Sequence, residues 1–239
     1  MRSCLRSYHG LRAFKVTGLS MAQSSDQEII PSRSALRRLR EKEQKYNTIL
    51  KAAETLFAQK GYHQTSIEEI ADLAEVSTGA VYLYFKNKED LLIILMQEIG
   101  HQLRKLLADE FKRTGFSFDR FKNISFAFLK NFCGSHPEWI AIFFRESVGQ
   151  SVEVEEQRRQ LFFKLTDDIK EAFLQASREQ GIDPVDDLIP EMVGVCILGI
   201  YERIACYYFL WQNPPEDIDT IAQRSISFML GGISSLLKE

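Results

Sequence analysis

The sequence predicts an all-α protein. Three observations carry this. Leu, Ala, Glu, Lys and Gln recur at helical spacing, no strand-like alternation is sustained, and there are only six prolines in 239 residues. The length allows one large or two modest domains with a sizeable core.

The elements follow in order. Residues 1–20 carry Arg2, Arg6, Arg12 and Lys15 and no acid, the composition of an organelle transit peptide. Met21 offers a second start, so residues 1–30 are also read as a disordered or mis-started extension. A first helix is expected over about 36–60, with Ile49, Leu50, Ala53, Leu56 and Phe57 as its apolar stripe and Gly61 ending it. Thr65 or Ser66 caps a second helix, each followed three residues later by a glutamate. Ser77 caps a third helix running to about Tyr84, and Asn87 caps a fourth running to about 113. Further helices are expected at about 117–133, 137–148, 154–180, 189–212 and 215–237, separated by Gly, Pro and Asn breaks.

The second and third helices are about three residues apart, the spacing of a helix-turn-helix whose second helix enters the DNA major groove. Thr78 and the Gly79 backbone would then lie where base edges are reachable, and Tyr82 and Tyr84 would offer hydroxyls to phosphates. Lys88, and Thr65 or Ser66, stand at helix starts where phosphate is attracted. Ser77 is either a cap alone or a further contact. Charge agrees with a DNA-binding front. Arg33, Arg37, Arg38, Arg40, Lys42 and Lys45 crowd residues 31–48, whereas residues 91–239 hold 16 basic against 22 acidic side chains.

The stretch ILKAAETLFAQKGYHQTSIEEIADLAEVSTGAVYLYFKNKEDLL resembles the DNA-binding domain of TetR/AcrR transcriptional regulators. Gly61, Thr65, Ile70-Ala71, Ala74, Val76-Ser77, Gly79, Tyr82, Tyr84-Phe85 and Lys88 carry the resemblance. The chain departs from the family at Glu75, where glycine is common, and at Thr78, where lysine is frequent. Membership would imply a DNA-binding domain over 31–90 and an effector-binding, dimerising domain over 91–239. It would also imply a double-stranded operator as partner, cytoplasmic location and no cofactor. Repressor is the leading expectation, with an activator or dual regulator as the alternative.

Aromatics crowd the body from Phe116 to Phe173, so an effector pocket should be apolar. Phe121, Trp139, Phe143, Arg145 and Tyr201 are the candidate ligand contacts. Arg145-Glu146 and Glu202-Arg203 interrupt apolar helices and need partners, either among themselves or in a ligand head group. The body and the YERIA stretch are similar to TetR regulators that sense long-chain acyl compounds. The last two helices are expected to form a twofold dimer seam, through Val193, Ile197, Ile200, Ile204, Tyr208, Ile226, Phe228, Met229 and Ile233, or else to be intrachain core.

Other classes find less support. Glu98 and His101 have the spacing of a metal-ligand pair, but His9, His63 and His136 supply no second such pair, so no metal site is expected. No phosphate loop, nucleophile elbow or zinc motif points to an enzyme. A helical lipid carrier is the remaining alternative. No uninterrupted apolar run reaches the roughly 18 residues of a membrane span. The longest candidate, MVGVCILGIYERIACYYFLW, has Glu202 and Arg203 in its middle, and no membrane partner is expected. Cys4, Cys133, Cys196 and Cys206 show no paired spacing and are read as reduced thiols.

Overall fold

The computed structural model describes residues 32–114, 121–182, 186, 188–212 and 216–236, apart from the side chains of Thr114 and Leu236. The expectations for residues 1–30, and the helix starts at about 117 and 215, lie outside these. The described residues hold nine helices and no strand: α1 (Arg33–Lys60), α2 (Ile67–Leu73), α3 (Thr78–Tyr82), α4 (Lys88–Thr114), α5 (Phe121–Phe126), α6 (Pro137–Ala141), α7 (Val152–Glu179), α8 (Leu188–Cys206) and α9 (Ile218–Leu236). Three of them run on into π-helical turns: α5 into Ala127–Cys133, α6 into Ile142–Glu146 and α8 into Tyr207–Trp211.

The chain divides into two compact units, Met1–Arg40 and Glu41–Glu239. In the first, residues 32–40 are exposed, and Ser32 caps α1 by accepting from the Ala35 amide at 3.2 Å.

In the second unit the expected stripe of α1 is buried at Ile49, Leu50, Ala53 and Phe57 and partly buried at Leu56. Gly61 follows with a φ of +91°, a left-handed turn that costs glycine nothing. Ser66, not Thr65, caps α2: its hydroxyl accepts from the Glu69 amide at 3.2 Å, and the Glu69 carboxylate accepts from the Ser66 amide at 2.9 Å. The α2–α3 corner is a Schellman turn. The Val76 amide donates to the Ala71 carbonyl at 3.0 Å and the Glu75 amide to that of Asp72 at 3.1 Å. This places Glu75 at a φ of +55°, where a Cβ is disfavoured.

Asn87 caps α4 by accepting from the Asp90 amide at 2.8 Å, while Asp90 accepts from the Lys86 amide at 3.0 Å. Leu92, Leu95, Met96, Ile99 and Leu103 of α4 are buried. Arg104 of α4 forks onto Asp168 of α7, at 2.5 and 2.9 Å, and the carboxylate raises the guanidinium pKa.

Helices α7 and α8 pack closely because Gly194 has no side chain. A Cβ there would lie 2.9 Å from the Thr166 carbonyl oxygen. Helix α5 meets α9 where the buried Ser125 hydroxyl donates to the Ala222 carbonyl at 3.0 Å.

The structure separates the two readings of the last helices residue by residue. Val193, Ile197, Ile226, Met229 and Ile233 are buried within the chain, so they are core rather than free interface. Of the expected seam residues Phe228 is left exposed, and so are the apolar Leu188, Met192, Val195, Tyr207 and Trp211, which were not among them. Leu188–Trp211 is long and apolar enough to cross a membrane by length and composition. Glu202 within it lies 3.9 Å from Arg158 of α7, and Arg203 lies 5.1 Å from the Trp211 ring centre, so the two neighbours do not neutralise one another.

Candidate nucleic-acid interface and effector cavity

Helix α3 is held from below and open above. Val81 is fully buried and Phe85 nearly so, the latter stacked on Tyr46 with ring centres 4.9 Å apart. Above, Ser77 and Gly79 are exposed, Thr78 is half-buried and Tyr82 is 54% exposed. Ser77 caps the helix by accepting from the Ala80 amide at 3.2 Å. A Cβ at Gly79 would meet nothing closer than the Ser77 hydroxyl at 4.0 Å, so the space in front of the backbone is open. Leu83, 83% exposed, and Lys86, also exposed, adjoin this surface and were not singled out from sequence. Leu83 ends α3 outside its buried stripe, a position that helical spacing alone could have marked.

The remaining candidates point differently. Thr65 is 2% exposed and its hydroxyl donates to the Gly61 carbonyl at 2.8 Å. Tyr84 is half-buried, edge-on to Tyr46 at 6.4 Å. Lys88 turns inward: its ammonium donates to the carbonyls of Tyr62 at 2.8 Å and Thr65 at 2.9 Å, with His63 at 3.4 Å. Burial lowers its pKa. Ser66 spends its hydroxyl on its own helix.

The same corner is held from the π-helical turn after α6. Glu146 accepts from the Tyr62 amide at 2.7 Å, and Arg145 donates to both Glu146, at 2.5 Å, and the Ala58 carbonyl, at 3.1 Å. Arg145 therefore faces the end of α1 and solvent rather than an apolar interior, because a guanidinium finds there the acceptors a core lacks.

The other ligand candidates divide. Phe121 and Tyr201 meet in one small cavity of about 40 Å³, with Leu107, Phe111, Ile197 and Met229 among its walls. Phe143 is packed away against Phe162, the rings 5.6 Å apart, and Trp139 stacks on His136 at 3.8 Å. Neither lines the cavity. A larger concavity, about 930 Å³, is an open groove along α7 and α8, bordered by Arg158, Arg159, Asp167, Lys170 and Glu202. Its mixed charge and openness suit a solvated surface more than an apolar effector. Among the described residues, no three His, Cys, Asp or Glu side chains gather to hold a metal.

Comparison with known proteins fits this geometry. The pattern of the family "Bacterial regulatory proteins, tetR family" matches residues 49–94, from the buried half of α1 into α4. Residues 49–94 are a TetR-family DNA-binding segment. The chain is 42% identical over 74 residues to the fatty acid metabolism regulator protein of Bacillus subtilis (strain 168), a match that spans 31% of the chain and 38% of that relative. It is 28% identical over 189 residues to the HTH-type transcriptional regulator YhgD of the same strain, covering 78% of the chain and 95% of YhgD. Its fold matches that of the transcriptional regulator FadR from Bacillus subtilis, solved in complex with stearoyl-CoA, with a TM-score of 0.68 at 20% identity over 78% of this chain and 98% of that one.

Proposed function

We propose that the protein is a ligand-responsive transcriptional repressor that binds an operator as a homodimer and releases it on binding a hydrophobic effector of the long-chain acyl class. The observation that carries the DNA-binding part is the exposed upper face of α3, Ser77 to Tyr82, over a buried anchor of Val81 and Phe85. In this reading residues 31–90 contact DNA, and residues 91–239 bind effector and partner. Ser77, Thr78, Gly79 and Tyr82 meet the duplex directly. Ser66 and Tyr84 border it, and Thr65 and Lys88 shape the corner behind it.

The effector class is supported by the 74-residue match to a fatty acid metabolism regulator, by the fold shared with a regulator solved with stearoyl-CoA, and by the apolar cavity at Phe121 and Tyr201. Dimerisation is supported by the exposed apolar residues of α8 and α9, and by the need of two recognition helices to reach half-sites about 34 Å apart. Such a regulator works in the cytoplasm.

The experiment is a gel shift of the full chain on DNA from upstream of its own gene. Specific retardation, lost on adding a long-chain acyl thioester, is expected. Equal affinity for random DNA would reject the reading.

A further inference from the structure

The cavity between α4, α5, α7, α8 and α9 has an unusual wall. Among the described residues lining it, every side chain is hydrocarbon or thioether except Tyr201. Tyr201 is only 8% exposed, and its ring is pinned edge-on by Phe128, with centres 5.3 Å apart. Its phenol oxygen is buried without a hydrogen-bond partner. Ser125 lies close by; with its own proton given to the Ala222 carbonyl at 3.0 Å it could only accept from the phenol, and the two do not meet at hydrogen-bonding geometry. A buried donor left unmade lowers stability, so such a group in a binding protein invites a ligand that completes it.

The wall also limits what that ligand can be. No charged side chain lines the cavity among the described residues, so an ionised carboxylate entering it would be desolvated without a counter-charge. Burial raises the phenol's pKa well above the ordinary tyrosine value, with Ser125 only partly offsetting it. The phenol therefore stays a neutral donor. The space of about 40 Å³ is small, so as it stands it admits a functional group and not a whole chain. The rest of a chain would have to part the side chains around it.

We propose that the effector is an aliphatic molecule carrying a neutral hydrogen-bonding oxygen, a carbonyl or hydroxyl, and that the Tyr201 phenol donates to that oxygen inside this cavity. This rests on the reading of the chain as an effector-responsive regulator, and narrows the effector from "hydrophobic" to "hydrophobic with an uncharged oxygen seated at Tyr201".

The test compares octane, 2-octanone and octanoate, by calorimetry and melting-temperature shift, on the full chain and on Tyr201→Phe. In the wild type 2-octanone should bind about tenfold more tightly than octane, the scale of one buried hydrogen bond, and octanoate least well. In Tyr201→Phe the preference for ketone over octane should disappear, while the ligand-free melting temperature should not fall. A hydroxyl with a purely structural bond would instead lower it. Equal binding of ketone and octane by the wild type would mean that the phenol meets only trapped water, and would overturn the proposal. So would tightest binding of octanoate, retained ketone preference in Tyr201→Phe, or no binding of any of the three. None of these measurements needs DNA, so loss of the operator assay would sink the regulator reading and leave this one to be decided separately.

Discussion

The ammonium of Lys88 donates to the backbone carbonyl of Tyr62 at 2.8 Å and lies 4.4 Å from the centre of that residue's own ring. One side chain at the start of α4 thus holds both the backbone and the ring of the α1–α2 corner. With Thr65 and His63 also in reach, three carbonyls that no helix satisfies share one cation. Lys88→Met removes every one of these bonds while keeping the stem. We expect a loss of about 1–3 kcal/mol in chemical denaturation. DNA affinity should fall with it, yet the salt dependence of the remaining binding should be unchanged, because no phosphate contact is lost. A reduced salt slope would show that Lys88 leaves the corner to meet DNA.

Tyr82 should behave in the opposite way. It is exposed and makes no packing contribution comparable to that of Phe85. Tyr82→Ala should leave the unfolding free energy within about 0.5 kcal/mol of the wild type and weaken operator binding severalfold. Retained affinity in a gel shift would remove Tyr82 from the interface.

Glu75 occupies the left-handed position of the Schellman turn that glycine usually fills. Glu75→Gly should stabilise the protein by about 0.5–1 kcal/mol, the relief of backbone strain exceeding the entropy gained by the unfolded chain. Glu75→Val, β-branched at the same φ, should destabilise it. Thermal unfolding of the pair measures both signs.

Gly194 is a close-approach glycine. The added methyl of Gly194→Ala would meet the Thr166 carbonyl oxygen at 2.9 Å, so α7 and α8 must separate. A loss of about 1–3 kcal/mol is expected. Gly199→Ala, on the same helix with nothing within 4 Å, serves as the control that should cost nothing by thermal unfolding.

Phe228 is 74% exposed on α9. If α9 joins the dimer seam, Phe228→Glu should shift native mass spectra from dimer to monomer and abolish operator binding while α1 to α4 stay folded. A persistent dimer would move the seam elsewhere.

Local signals in the sequence sufficed for the helices and their ends. Ser66, Ser77 and Asn87 cap where a hydroxyl or amide precedes an apolar period, and Gly61 stops α1 as its position suggests. Tertiary choices were less legible. The apolar period of α8 marks Val193 and Ile197 as inward-facing, but not whether inward means this chain or a second copy. Lys88 looks like a phosphate anchor from its place at a helix start, and only the fold brings it to carbonyls 23 and 26 residues earlier. Arg145 sits in an apolar run, yet its acceptor is 87 residues away. Tyr201 was nameable, but its lone hydroxyl in a hydrocarbon wall is a property of five helices together.

The Glu146 carboxylate that receives the Tyr62 amide stands 84 residues downstream of it. On the ribosome the N-terminal helices emerge long before that acceptor exists. The Lys88 bonds, drawn from nearby chain, can close early, but the corner between α1 and α2 keeps one amide open until the turn after α6 has been made. The part of the nascent chain meant for DNA therefore acquires its final hydrogen bond only once much of the effector-binding body has been synthesised, which ties completion of the reading head to completion of the sensor.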